Sequence, residues 1–125
     1  MATNGVFDDA RCRWAAESLD SIILSFDGPA GVQDLHRPHR DGRGSFGRVA
    51  RSASLLSEGA AELSFRICVT ADTVKELPAI ARWICREFRP VAVGIEPLQP
   101  SAPSRAAGLQ PPDPWIFAQK YCEAA

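Results

Sequence analysis

Hydrophobic positions along this chain repeat in two periods, one suited to strands and one to helices, and the two alternate from end to end. Ile22, Ile23 and Leu24 form a nearly continuous apolar run within residues 21–26, closed by Asp27-Gly28-Pro29. Such a run reads as a parallel strand covered on both faces. Over residues 62–70 the alternation is clean. Leu63, Phe65, Ile67 and Val69 fall on one side, and Ser64, Arg66, Cys68 and Thr70 on the other, which predicts a second strand. Residues 91–95 predict a third, ended by Glu96-Pro97-Leu98.

Helical spacing fills the intervals. Asp8 and Asp9 can cap a helix reaching about residue 19, with Trp14, Ala15 and Leu19 near one face. Residues 27–44 read as a polar loop. Ser45 then stands where it can cap a helix carrying Phe46, Val49, Ala50, Ala53 and Leu56, with Gly59 as its stop. Thr73 and Glu76 have capping-box spacing ahead of Leu77, Ala81, Ile84 and Phe88, although Pro78 disturbs that start. Residues 99–114 are rich in Pro, Ser, Ala and Gly and read as an irregular crossover. Asp113 can cap a last helix with Pro114 at its first position.

Strands alternating with helices predict an α/β fold with a parallel sheet. Three strands are clear and a short fourth fits near residues 2–5. A closed eight-stranded barrel needs about 250 residues, so the expected architecture is a partial (β/α) barrel with two open sheet edges.

Composition narrows the chemistry. The 125 residues carry 46% apolar side chains and a formal charge of -1, a balance that gives no reason to expect nucleic acid or an anionic membrane as partner. No apolar run approaches the roughly 18 residues of a membrane span, and the N-terminus has no secretory pattern, so a cytoplasmic location is expected. The closest of the four cysteines, Cys68 and Cys85, stand 17 residues apart. That spacing suits neither zinc nor an iron-sulfur cluster, and all four, Cys12 and Cys122 included, read as packed thiols.

The ordered set Thr3-Asn4-Gly5, Ser25-Phe26-Asp27-Gly28-Pro29, Asp34, Arg37-Pro38, Gly42 to Phe46 as G-R-G-S-F, Val69-Thr70 and Pro97-Leu98 resembles the radical S-adenosylmethionine (SAM) superfamily. The branch most similar is that of the anaerobic sulfatase-maturating and peptide-maturing enzymes that carry a SPASM domain, with its T-N-G, S-x-D-G-P, H-D-x-x-R and G-x-G-S-F signatures. The resemblance covers about residues 2–98. It implies the C-terminal half of a partial (β/α)6 barrel. The C-x-x-x-C-x-x-C loop that holds the family's 4Fe–4S cluster and the glycine-glycine-glutamate stretch that binds the methionine amino group have no counterpart here, and neither do the SPASM cysteines.

The resemblance also implies roles. Ser25 matches a serine that contacts SAM, and Arg37 an arginine that pairs with the SAM carboxylate, a task suited to a guanidinium fork. Leu98 matches a position near the adenine, and Asn4 stands beside the cofactor at the end of a strand. Asp27 shares its face with Ser25 at the C-terminal end of a strand, where barrel enzymes keep their working groups. Plain structural readings stand beside each: a strand-ending serine, an Asp-Gly-Pro turn, a solvated arginine, a core leucine and an Asn-Gly turn. Arg40, Arg43 and Arg48 read as solvated. Asp34, His36 and His39 fall in a loop and supply no fourth ligand, so a metal site is not expected. Ser25 lacks a nucleophile elbow, and phosphate-loop spacing is absent.

The implied domain plan is a partial barrel over 1–98, a Pro-rich crossover over 99–114 and a terminal helix over 115–125. The implied function is the SAM-binding half of a peptide or protein maturase that uses a 5'-deoxyadenosyl radical, inactive without the missing half-barrel. The alternative is a non-catalytic binding module, or a remnant, that retains the scaffold and self-associates or binds a peptide through its open edges.

Overall fold

The computed structural model describes residues 1–125. Its centre is a four-stranded, wholly parallel sheet in the order β1-β2-β3-β4, formed by Ala2–Thr3, Ser21–Ser25, Glu62–Val69 and Ala92–Pro97. Helix α1 (Asp9–Ser18) connects β1 to β2; α2 (Ala30–His36) and α3 (Phe46–Ser57) connect β2 to β3; α4 (Leu77–Phe88) leads into β4. Two helices follow, α5 (Ala102–Ala106) and α6 (Pro114–Ala124). This is the α/β partial barrel expected from the alternation.

The core lies between the sheet and its helices. Ile22, Leu24, Leu63, Phe65, Ile67 and Val69 pack against Ala15, Val49, Ala53, Leu56, Leu77 and Ile84. Phe26, completely buried just beyond β2, has Phe46, Phe65, Trp83 and Phe88 within 6.0 Å between ring centres. The expectation that β2 is covered on both faces is wrong. Ile23 is 43% exposed, because the helices lie on one side and the register sets Ile23 beside Ser64, and Ser25 beside Arg66, on the uncovered side. Four parallel strands cannot close into a barrel, so that face stays open.

Local chemistry explains other departures. The predicted loop after β2 contains α2, whose short sequence with Gly31 offers little helical signal. Ser45 does not cap α3 with its side chain. Asp34 does so instead, accepting the Phe46 N–H on Oδ1 at 2.8 Å, while the Ser45 hydroxyl accepts from Gln33 Nε2 at 3.1 Å. A Cβ on Gly44 would run into the Asp34 carboxylate and displace it. The capping box at Thr73 does not form: Thr73 Oγ1 accepts the Thr70 N–H, a single 3-10 turn covers Val74–Glu76, and Pro78 sits harmlessly in the first turn of α4. Trp14 faces solvent, 60% exposed. Of the cysteines, Cys12 is buried and Cys68 half-buried, whereas Cys85 and Cys122 are exposed rather than packed.

Two details shape the rim at the C-terminal ends of the strands. Gly5 turns with φ +76°, and a Cβ there would meet Leu24 Cδ1 at 2.7 Å; its carbonyl accepts from Ser52 Oγ. Beyond β4 the chain folds back over the sheet. The Leu98 N–H donates to the Val69 carbonyl, the Ala71 N–H to that of Gln110, and Ser101 and Ser104 cap α5 reciprocally.

Candidate functional site

The rim is organised by one carboxylate. Asp27 follows β2 and is 1% exposed, so every lone pair it keeps from water needs a donor. Its amide N–H donates to Gln33 Oε1 at 2.9 Å. Its Oδ1 accepts the Cys68 N–H at 2.9 Å, and its Oδ2 accepts from Arg37 Nε at 2.8 Å, with Arg37 Nη2 at 3.4 Å from Oδ1. Burial opposes ionisation, but the His36 hydrogen bond, the Arg37 charge and hydrogen bond and the Cys68 N–H outweigh it. They hold the Asp27 carboxyl below the ordinary carboxylate range.

His36 extends this centre to the next strand. Its side chain is 3% exposed, with Nδ1 3.2 Å from Asp27 Oδ2 and Nε2 3.2 Å from Thr70 Oγ1. A carboxylate can only accept, which assigns the proton to Nδ1; in the neutral ring Nε2 then accepts from the Thr70 hydroxyl. Thr73 Oγ1 stands 3.3 Å from Thr70 Oγ1 and closes the chain. Gln33, His36 and Arg37 reach the site together because three- and four-residue steps share a helix face.

Arg37 is the half-open member, its side chain 33% exposed. Nε and Nη2 are engaged by Asp27, and Nη1 has no protein partner. It borders two cavities. One, of about 250 Å³, is also lined by Asp27, His36, Thr70 and Leu98 and walled by Ser104 of α5. The other, of about 360 Å³, is lined by Asn4, Arg37, His39, Arg40 and Ser45.

Of the residues singled out from sequence, Asp27, Arg37 and Leu98 meet in one cavity, and Asn4 shares the second with Arg37. Ser25 borders neither. It lies one step earlier on the same face, 5% exposed, and its hydroxyl accepts from Arg66 Nη2 at 3.2 Å. Asn4 Oδ1 accepts the Val6 N–H, making the local turn. Arg48 is not simply solvated, since it pairs with Asp9 at 2.8 Å. Asp34, His36 and His39 disperse: Asp34 caps α3, His36 joins Asp27, and the His39 N–H donates to the Arg43 carbonyl. Sequence reasoning missed Gln33 and Thr70 as site residues and assigned His36 to a loop. The helical spacing of 33, 36 and 37 was the available signal.

A cationic fork held by a buried carboxylate, beside a hydroxyl-bearing and partly apolar cavity, suits a small ligand with a carboxylate and an apolar portion. The residues do not suit an iron-sulfur cluster. Cys12 lies on α1, Cys68 on β3, Cys85 on α4 and Cys122 on α6, and no group of three His, Cys, Asp or Glu side chains is placed to hold a metal ion. No helix is long and apolar enough to cross a membrane.

The sheet order and the helices packed on it define a partial (β/α) barrel. About two thirds of the chain is similar in sequence to part of the anaerobic sulfatase-maturating enzymes. It is 29% identical over 84 residues to the cysteine-type anaerobic sulfatase-maturating enzyme of Clostridium perfringens (strain 13 / Type A), covering 66% of this chain and 23% of that protein. It is 31% identical over 81 residues to the serine-type enzyme of Klebsiella aerogenes, covering 64% of this chain and 20% of that protein. The fold matches a solved structure described as histidine-tagged anSMEcpe with bound AdoMet, with a TM-score of 0.65 and 24% identity over 80% of this chain and 29% of that one. The chain thus spans under a quarter of the length of these curated relatives. No family model matches it.

Proposed function

We propose that this chain is a SAM-binding half-barrel of a cytoplasmic radical SAM maturase acting on a peptide or protein. The observation that carries the reading is Arg37, whose guanidinium is aimed by buried Asp27 and keeps Nη1 free at the junction of two cavities. Arg37 holds the SAM carboxylate. Asp27 fixes the fork, Leu98 offers apolar contact to the adenine, and Ser25 and Asn4 complete the rim by hydrogen bonding. Bound SAM supplies the 5'-deoxyadenosyl group for radical chemistry. The 4Fe–4S cluster, with any SPASM domain, lies outside these residues, so the 125-residue chain does not cleave SAM by itself.

The names of the relatives favour a protein substrate, since both are described as maturing sulfatases. Calorimetric titration of the chain with SAM tests the binding claim: saturable binding is expected, weakened about tenfold in Arg37→Lys, which keeps charge but loses the fork. Incubation with dithionite and SAM is expected to release no 5'-deoxyadenosine, and its release would overturn the claim of dependence on a cluster held elsewhere.

A second reading, a non-catalytic module that pairs with a complementary half-barrel or with itself, is favoured by the uncovered sheet face around Ile23, Arg66 and Glu96 and the open β4 edge. A monomer in sedimentation analysis at all accessible concentrations would remove its self-associating form.

A further inference from the structure

The largest concavity of the molecule is not the rim. A groove of about 660 Å³ runs along the outer, helical side between α2 and the start of α4, with Val32, Leu35, Ile80 and Trp83 along it and Asp72 and Glu76 at its edge. Its volume is that of a ligand cleft. Leu35 is 49% exposed between half-buried Asp34 and His36, and Trp83 is half-buried. Val32 and Ile80 are buried and form a firm floor.

The charge around this floor has one sign. Asp72 and Glu76 line the groove, no lysine or arginine does, and neither carboxylate enters an ion pair elsewhere in the protein. An apolar trough with an acidic edge is complementary to a segment that presents apolar side chains on one face and Lys or Arg beside them. We propose that this groove is a docking site for a basic amphipathic helix of a partner protein. Its apolar side chains lie on Val32, Leu35, Ile80 and Trp83, and its cationic side chains meet Asp72 and Glu76.

The groove backs directly onto the rim. Helix α2 turns Val32 and Leu35 to the groove and Gln33, His36 and Arg37 to the Asp27 centre. A partner on the groove therefore bears on the element that carries Arg37. The docking claim itself does not depend on SAM binding.

The test uses the full chain with Trp14→Phe and Trp115→Phe, leaving Trp83 as the sole indole. The probe is a twelve-residue amphipathic leucine-lysine peptide, with its leucine-glutamate counterpart as control (about three helical turns). Saturable change in Trp83 emission at micromolar lysine peptide is expected, with no response to the glutamate peptide. Asp72→Asn with Glu76→Gln should weaken binding about fivefold or more. Leu35→Ala, at an exposed site where folding is not at stake, should weaken it as well. No emission change up to millimolar peptide, equal binding of both peptides, or an affinity untouched by the paired neutralisation would each overturn the proposal. A SAM titration of the same variants separates the two claims: loss of peptide binding with SAM binding retained removes only the groove.

Discussion

Arg37 Nε stands 2.8 Å from Asp27 Oδ2, and this contact ties the last turn of α2 to the C-terminal end of β2. The carboxylate has a single solvent-facing partner, the guanidinium itself. The consequences of this arrangement, and of the packing beneath it, are measurable.

Acid should loosen the fold in a defined window. Asp27 has a folded pKa below its ordinary 3.8, and the paired hydrogen bonds of Arg51 and Arg48 lower that of Asp9 to about 2. A depressed folded pKa means that the unfolded chain binds the proton first, so stability is full above 3.8 and falls as pH drops through the folded values. Urea midpoints should be flat from about pH 7 to about 5 and decline below about 4. In Asp27→Asn the decline should be shallower; an unchanged slope would contradict the role of this carboxylate.

Phe26→Ala should destabilise the protein by about 3–5 kcal/mol, because the ring is completely buried among four other aromatic side chains and leaves a cavity. Denaturant unfolding checks this, and a loss below about 1 kcal/mol would mean the aromatic cluster collapses to fill the space.

Asp34→Ala should cost about 1 kcal/mol through loss of the α3 cap. Gly44→Ala should cost a similar amount, since its Cβ displaces the same carboxylate. Because both act on one hydrogen bond, the double variant should lose less than the sum of the singles. Strict additivity in a double-mutant cycle would assign Gly44 another role.

Thiol labelling should separate the cysteines. Cys85 and Cys122 are exposed and should react first with a disulfide reagent at about pH 8, while Cys12 is enclosed. Burial, and then the Asp27 charge, push the Cys68 thiol above its ordinary 9.0, so it should react slowly. A raised folded value also means that Cys68 costs stability as pH climbs past 9.0, where the unfolded thiol ionises first. Fast labelling of Cys68 in the native chain would contradict this environment.

The sequence disclosed the strands because period-two alternation and apolar runs are strong over about five to eight residues, as in Glu62–Val69. It also disclosed Asp27, Arg37 and Leu98 as neighbours, through the ordered motifs. It hid α2, since Ala30–His36 is seven residues long, holds a glycine and has no side-chain cap. Missing that helix concealed why Gln33, His36 and Arg37 converge. The one-sided burial of β2 was equally invisible, because Ile22, Ile23 and Leu24 read alike until the register assigns Ile23 to the open face. The partner of Ser25 was hidden as well, since its hydroxyl is engaged by Arg66, a long-range contact that no local pattern reveals.

Comparing SAM with decarboxylated SAM tests the proposal that the free edge of Arg37 receives the SAM carboxylate. Calorimetry on the native chain and on Arg37→Ala should show SAM binding about tenfold or more tighter than its decarboxylated analogue to the native chain, with the two ligands alike in the variant. Equal affinity of both ligands for the native chain, or a preference for SAM that survives in Arg37→Ala, would rule out a carboxylate contact at Arg37.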